Sequence, residues 1–192
     1  QILSDKENEN YLNFWSNFGP VIKEGLYEFN DHHNKILKLL RFQWSGGKDY
    51  ISLDQYLEKI ENKQKEIYYF ANNDKNHLIN SPQLEAFIEK KIPVLLMSDP
   101  IDEFWIQNVT KYKDKEFKSI TKGKINLSKN ENNKSNYSNN INDLINVLKN
   151  ELKDKISDVR ISERLVKSPI LLIAEDTGMD INMEKLMKIH NQ

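Results

Sequence analysis

The chain has 192 residues, of which 38% are hydrophobic and 30% charged, with 28 basic side chains against 29 acidic ones. That is soluble-protein composition, with core material for one medium domain or two small ones. The near-neutral balance argues against a nucleic-acid partner, and no run of roughly 18 apolar residues offers a membrane span. Cysteine is absent, which excludes disulfide scaffolds, thiolate zinc sites and cysteine nucleophiles. The chain opens on Gln1 rather than Met, and Gln1 to Asn10 lacks an apolar signal core, so a processing or truncation point is expected there.

Taken in chain order, Tyr11 to Lys23 predicts an amphipathic helix with Leu12, Trp15, Phe18 and Ile22 on its buried face, ended by Gly25. Asn34 to Phe42 repeats the pattern. Ser45-Gly46-Gly47-Lys48 reads as a loop. Ser52 with Gln55 has capping-box spacing and opens a third helix with Leu53, Tyr56, Leu57 and Ile60 inward. Ile67 to Ala71 is short, aromatic and β-branched, which predicts a strand. Ser81-Pro82 predicts a helix start, with Leu84, Phe87 and Ile88 buried. Pro93 to Met97 reads as a strand covered on both faces. Asp99-Pro100 caps a helix over Ile101 to Lys111, and Phe117 to Ile120 is a third strand. Alternating strands and helices predict a small parallel sheet with right-handed crossovers.

Asn130 to Asn142 then holds seven asparagines in thirteen residues. Such a segment buries too little to offset its ordering entropy and reads as a mobile linker. A second unit follows: a helix over Ile141 to Asp154, strands near Val159 to Ile161 and Ile170 to Ala174, and a Met-rich helix over Ile181 to Ile189. The expected fold class is α/β, α+β overall. Residues 1–65 are helical, 66–128 form a small three-layer αβα domain with a short, mostly parallel sheet, 129–140 are the linker, and 141–192 begin an incomplete α+β domain.

Chemistry-bearing motifs are sparse. His32, His33, His77 and His190 lack metal-ligand spacing, and no metal site is expected. There is no GxxxxGK[ST] or GxGxxG phosphate loop. Asp99, Asp102 and Glu103 could form a catalytic carboxylate pair, but all three suit the positive end of a helix. Asp176-Thr177-Gly178 has no second triplet to complete an aspartic-protease site and reads as a turn. Two features point to surface binding. Phe104 and Trp105 are adjacent on a helix, about 100° apart, so one of them is expected to be partly exposed. Met179, Met183, Leu186 and Met187 form a stripe at helical spacing, and methionine suits surfaces that accept varied apolar partners. Taken alone, either feature is better explained by an ordinary core.

The runs Phe14 to Gly19, Lys38 to Phe42, Ser52 to Tyr56, Gln64 to Tyr69, Ser81 to Glu85, Val94 to Glu103, Leu152 to Leu165 and Asn182 to Lys188 together resemble the heat-shock protein 90 family. In order and spacing, the resemblance runs from the helical connector of its middle segment (1–65) through that segment's small αβα domain to the opening of its C-terminal segment. It implies a homodimeric, stress-responsive chaperone that hydrolyses ATP with magnesium and handles partly folded clients together with co-chaperones. The family's catalytic arginine lies upstream of the connector, and its dimerising helices lie downstream of the Met-rich helix. Arg41 is in a different motif, so no catalytic residue and no cofactor is expected in this chain. The family's client-facing positions map onto Glu103 and Phe104, with Trp105 an extra aromatic, and onto Met179 and Met183, where relatives often carry Trp-x-x-x-Met. A purely structural spacer and co-chaperone docking platform is the alternative. Ile92 to Leu95 and Tyr112 to Phe117 lean toward organelle-type relatives, whether of plastid, mitochondrion or ER.

Overall fold

The structure is a computed structural model that describes residues 9–28, 31–125, 127 and 139–190. The elements are α1 (Glu9–Tyr27), α2 (His33–Leu39), β1 (Phe42–Trp44), β2 (Gly47–Ile51), α3 (Leu53–Lys59), β3 (Glu66–Ala71) and α4 (Lys75–Ile79). A 3-10 turn (Pro82–Leu84) leads into α5 (Glu85–Glu89), β4 (Leu95–Met97), α6 (Asp102–Asn108), β5 (Lys111–Tyr112) and β6 (Lys115–Ser119). After these come α7 (Asn139–Leu152) and α8 (Ile181–His190).

The fold is mixed α/β. One six-stranded sheet runs β2-β1-β4-β3-β6-β5. Its centre is parallel, with β3 pairing β4 (Tyr69 opposite Leu95) and β6 (Ile67 opposite Phe117). The outer pairs β1–β2, β1–β4 and β5–β6 are antiparallel. The expected parallel sheet is therefore only the middle of a mixed one. Phe42, expected at the end of a helix, instead opens β1, which turns at Ser45-Gly46 into a hairpin with β2. The Trp44 ring lies over the turn, and a Cβ at Gly46 would come 2.1 Å from it, so a side chain there would displace the ring.

Side chains alternate along β3, as the strand period demands. Ile67, Tyr69 and Ala71 enter a core shared with α1, α2, α3 and α6, whereas Tyr68 and Phe70 enter a second core under α4 and α5. Leu95 and Met97 divide from Val94 and Leu96 in the same way. Helices on both faces give the three-layer arrangement. Tyr11 and Trp15 share the first core with Trp105 and Tyr112, so residues on both sides of position 65 bury one another. Tyr56 ties the layers together: its hydroxyl accepts from the Tyr68 N–H at 3.0 Å and donates to the Pro93 carbonyl at 2.8 Å.

Several expectations are corrected. Helix α1 continues through Pro20 and Gly25 to Tyr27, and its buried face is Tyr11, Trp15, Gly19, Lys23 and Leu26. Phe18 is exposed instead, because the helix turns to bury Lys23 against two carboxylates. Ile88 is exposed, since α5 faces the sheet through Ala86 and Phe87. Residues 139–140, assigned to the linker, already belong to α7, and 129–138 lie outside the described residues. Val159 to Ile161 and Ile170 to Ala174 are not strands; Ala174 makes one isolated parallel bridge with Lys122.

Candidate functional site

Two aromatic neighbours on α6 point in opposite senses. Trp105 is 0% exposed; its Nε1–H donates to Asp102 Oδ1 at 2.7 Å, and its ring meets Phe117 edge-on at 5.7 Å. Phe104 is partly exposed and stands edge-on to Tyr27 at 6.2 Å. The client-facing expectation for Trp105 is thus corrected: the α6 face that carries it is the face that docks on the sheet. Asp99 is not the side-chain cap expected. Asp102 reaches back and accepts the Asp99 N–H at 3.1 Å. Lys23 Nζ lies 2.8 Å from both Asp99 and Asp102. Burial alone would lower the Lys23 pKa, but the Asp102 and Asp99 carboxylates outweigh it and raise the value, so the ammonium stays charged. The Phe42 ring lies 5.2 Å from the same nitrogen. These carboxylates tie α6 to α1 through Lys23.

Glu103 is likewise inside, 3% exposed, and accepts from Asn182 Nδ2 at 2.8 Å. Burial pushes its carboxyl pKa up to about 7; the Asn182 bond opposes the rise, and the nearby Asp180 and Asp102 charges reinforce it. Asp180 accepts from Ser119 Oγ at 2.6 Å and from Thr121 Oγ1 at 2.7 Å, and its carbonyl takes the Glu184 N–H of the first α8 turn. The start of α8 is therefore pinned to the end of β6 and the flank of α6.

The preceding segment is tied down at three more places. Arg164, 4% exposed, donates to the Ile120 carbonyl at 2.7 Å and to the Gly123 carbonyl. The Glu85 carboxylate accepts the backbone N–H groups of Val166, Lys167 and Ser168 at 2.7 to 3.1 Å. The Ser168 hydroxyl and those amides hold the Glu85 pKa down at about 2. Lys118 pairs with Asp176 at 2.9 Å. Asp180, Asn182, Arg164, Glu85 and Lys23 were not singled out from sequence as candidate site residues. A charged residue inside an apolar periodicity, as at Lys23, is the one signal that could have flagged any of them.

Upon this docked segment several apolar side chains face outward. Met179 is 50% exposed, Ile170 67% and Leu172 59%, while Met183 is half-buried and Met187 exposed. Between the segment and the sheet lies a cavity of about 260 Å³ at the carboxyl end of β3. Among the described residues no cluster of His, Asp or Glu could hold a metal ion, and no helix is long and apolar enough to cross a membrane. The cavity wall carries both the Asp180 carboxylate and the Lys185 ammonium.

A family model described as Hsp90 protein matches residues 2–192. The Chaperone protein HtpG of Roseobacter denitrificans is 43% identical over 97% of the chain, and that of Francisella tularensis subsp. holarctica 42% over 97%. The Chaperone protein HtpG of Wolbachia pipientis is 36% identical over 97%. The chain spans 31% of the length of each of these relatives. All three are bacterial proteins, which overturns the lean toward organelle-type relatives read from Ile92 to Leu95 and Tyr112 to Phe117. With the match running from residue 2 to residue 192, the chain belongs to the Hsp90 protein family.

Proposed function

We propose that this chain is part of an ATP-dependent chaperone that binds partly folded client proteins and assists their folding. Its contribution is surface for clients and co-chaperones. ATP and magnesium, the hydrolysis they support and the homodimer contact are assigned to other parts of the parent. The observation that carries this reading is the exposure of Ile170, Leu172 and Met179 on a segment held to the sheet by buried polar contacts. Apolar groups scattered amid charge on a fixed frame suit broad binding that is weak per contact. Phe104, partly exposed on α6, is a further apolar candidate. For Glu103 and Trp105, burial favours the second reading, a structural spacer: they hold α6 and α8 in place behind that surface.

The test replaces Phe104, Leu172 and Met179 with Ser in the full-length parent and measures suppression of client aggregation alongside ATPase activity. Reduced suppression with intact ATPase is expected. Unchanged suppression would assign the chain to the spacer role alone.

A further inference from the structure

The cavity of about 260 Å³ is walled by Phe70 and Ala71 of β3, by Pro82 and Gln83 of the 3-10 turn, and by Leu171 and Leu172. It lies where α/β sheets commonly bind ligands, outside the carboxyl ends of parallel strands. Gln83 is 7% exposed, and its Nε2 donates to the Leu172 carbonyl at 2.5 Å. Its Oε1 is buried and meets no donor among the described residues. A buried acceptor left unpaired is uncommon and asks for a donor. Of the other polar groups in the lining, Asp180 is engaged by Ser119 and Thr121 and Asn182 by Glu103, and Asn72, His77 and Lys185 stand at the same wall.

We infer that this cavity is a subsite for one tryptophan side chain of a bound polypeptide, an inference that rests on the client-binding reading above. The volume is below the roughly 300–1,000 Å³ usual for a whole small-molecule ligand and suits a single large side chain. Its walls are mainly apolar, so an aromatic body is favoured. Indole offers one N–H donor and no acceptor, which matches an unpaired oxygen. Phenylalanine would leave that oxygen unpaired. A carboxylate or phosphate would bring no donor to that oxygen, and with Asp180 and Lys185 both in the lining neither sign of charge is favoured. Ile170 and Leu172, both exposed at the cavity, offer apolar contact to the residues flanking the tryptophan.

The test is saturation-transfer NMR on the full-length protein with three probes: N-acetyltryptophanamide, its 1-methylindole derivative and N-acetylphenylalaninamide. The expected result is saturable binding of the first, with the methylated and phenylalanine probes roughly tenfold weaker, the worth of one hydrogen bond. Gln83→Met should bring the first two probes to equal affinity. Equal affinity of these two for the unaltered protein overturns the proposal without recourse to any variant, and so does the absence of saturable binding. If no probe binds but client aggregation is still suppressed, the subsite falls and the chaperone reading stands. If the tryptophan probe binds with the expected selectivity but aggregation is not suppressed, the subsite stands and the chaperone reading falls.

Discussion

Glu103 and Asn182, 79 positions apart, share a 2.8 Å hydrogen bond in the interior, and through it α6 holds the first turn of α8. The carboxyl that accepts this bond titrates near neutrality, with its pKa raised to about 7 by burial. In the unfolded chain its pKa returns to about 4.3. The folded state therefore binds the extra proton between those values, and this group's contribution to stability falls as pH rises from about 4.3 to 7. Glu103→Gln keeps an acceptor for Asn182 and removes the charge. The variant should match the parent near pH 4 and exceed it at pH 8 by about 1 to 3 kcal/mol, as measured by urea denaturation across pH. A stability difference that does not change with pH would place the proton elsewhere.

Lys23 neutralises two carboxylates where Asp102 is 0% exposed. Removing one partner of a buried ion pair strands the other. Lys23→Met should destabilise by about 3 to 5 kcal/mol in thermal or chemical unfolding. Adding Asp102→Asn, which removes the stranded charge and keeps an acceptor for the Trp105 indole, should recover part of the loss, and non-recovery would mean that the stranded charge is not its main cause.

The two neighbours on α6 should respond in opposite ways. Trp105→Ala empties a fully buried site and leaves Asp102 Oδ1 without its indole donor, so a loss of about 3 to 5 kcal/mol is expected. Phe104→Ser removes a partly exposed ring and should cost about 1 kcal/mol or less. Denaturation midpoints of the two variants decide the point.

Glu85 holds three successive backbone amides of a segment more than eighty positions away. Its pKa is depressed, so its stabilising effect is present above the ordinary glutamate value and is lost as pH falls toward 2. Glu85→Ala should speed hydrogen exchange at Val166, Lys167 and Ser168 and leave the amides of β3 protected. Slow exchange retained at all three would show that other contacts hold the segment.

Local rules made much of the frame legible. The capping box at Ser52 is present in both halves, with Ser52 N–H to Gln55 Oε1 at 2.7 Å and Gln55 N–H to Ser52 Oγ at 3.2 Å. Strands β3 and β4 were readable because burial on both faces leaves an almost unbroken apolar run. The rotation of α1 was not, because the partners that draw Lys23 inward lie 76 and 79 positions away. The β1–β2 hairpin was hidden by its brevity, and Phe42 also completes a plausible helical pattern. Ile170 to Ile173 has the apolar character of a strand but no pairing partner among the described residues, and pattern alone does not supply one. At the site, adjacency showed that Phe104 and Trp105 must diverge; which of them turned inward depended on Asp102 and Phe117.

The first core has a consequence for how the protein is made. Synthesis delivers α1 well before α6 and β5, and Tyr11 and Trp15 share their core with Trp105 and Tyr112. Until those residues leave the ribosome, Lys23 has neither of its carboxylates and the apolar face of α1 is uncovered. Closure of this layer must therefore wait until translation has passed β5, at the cost of a nascent stage with exposed aromatic surface. Helix α1 completes its packing only after the later elements of this layer have been made.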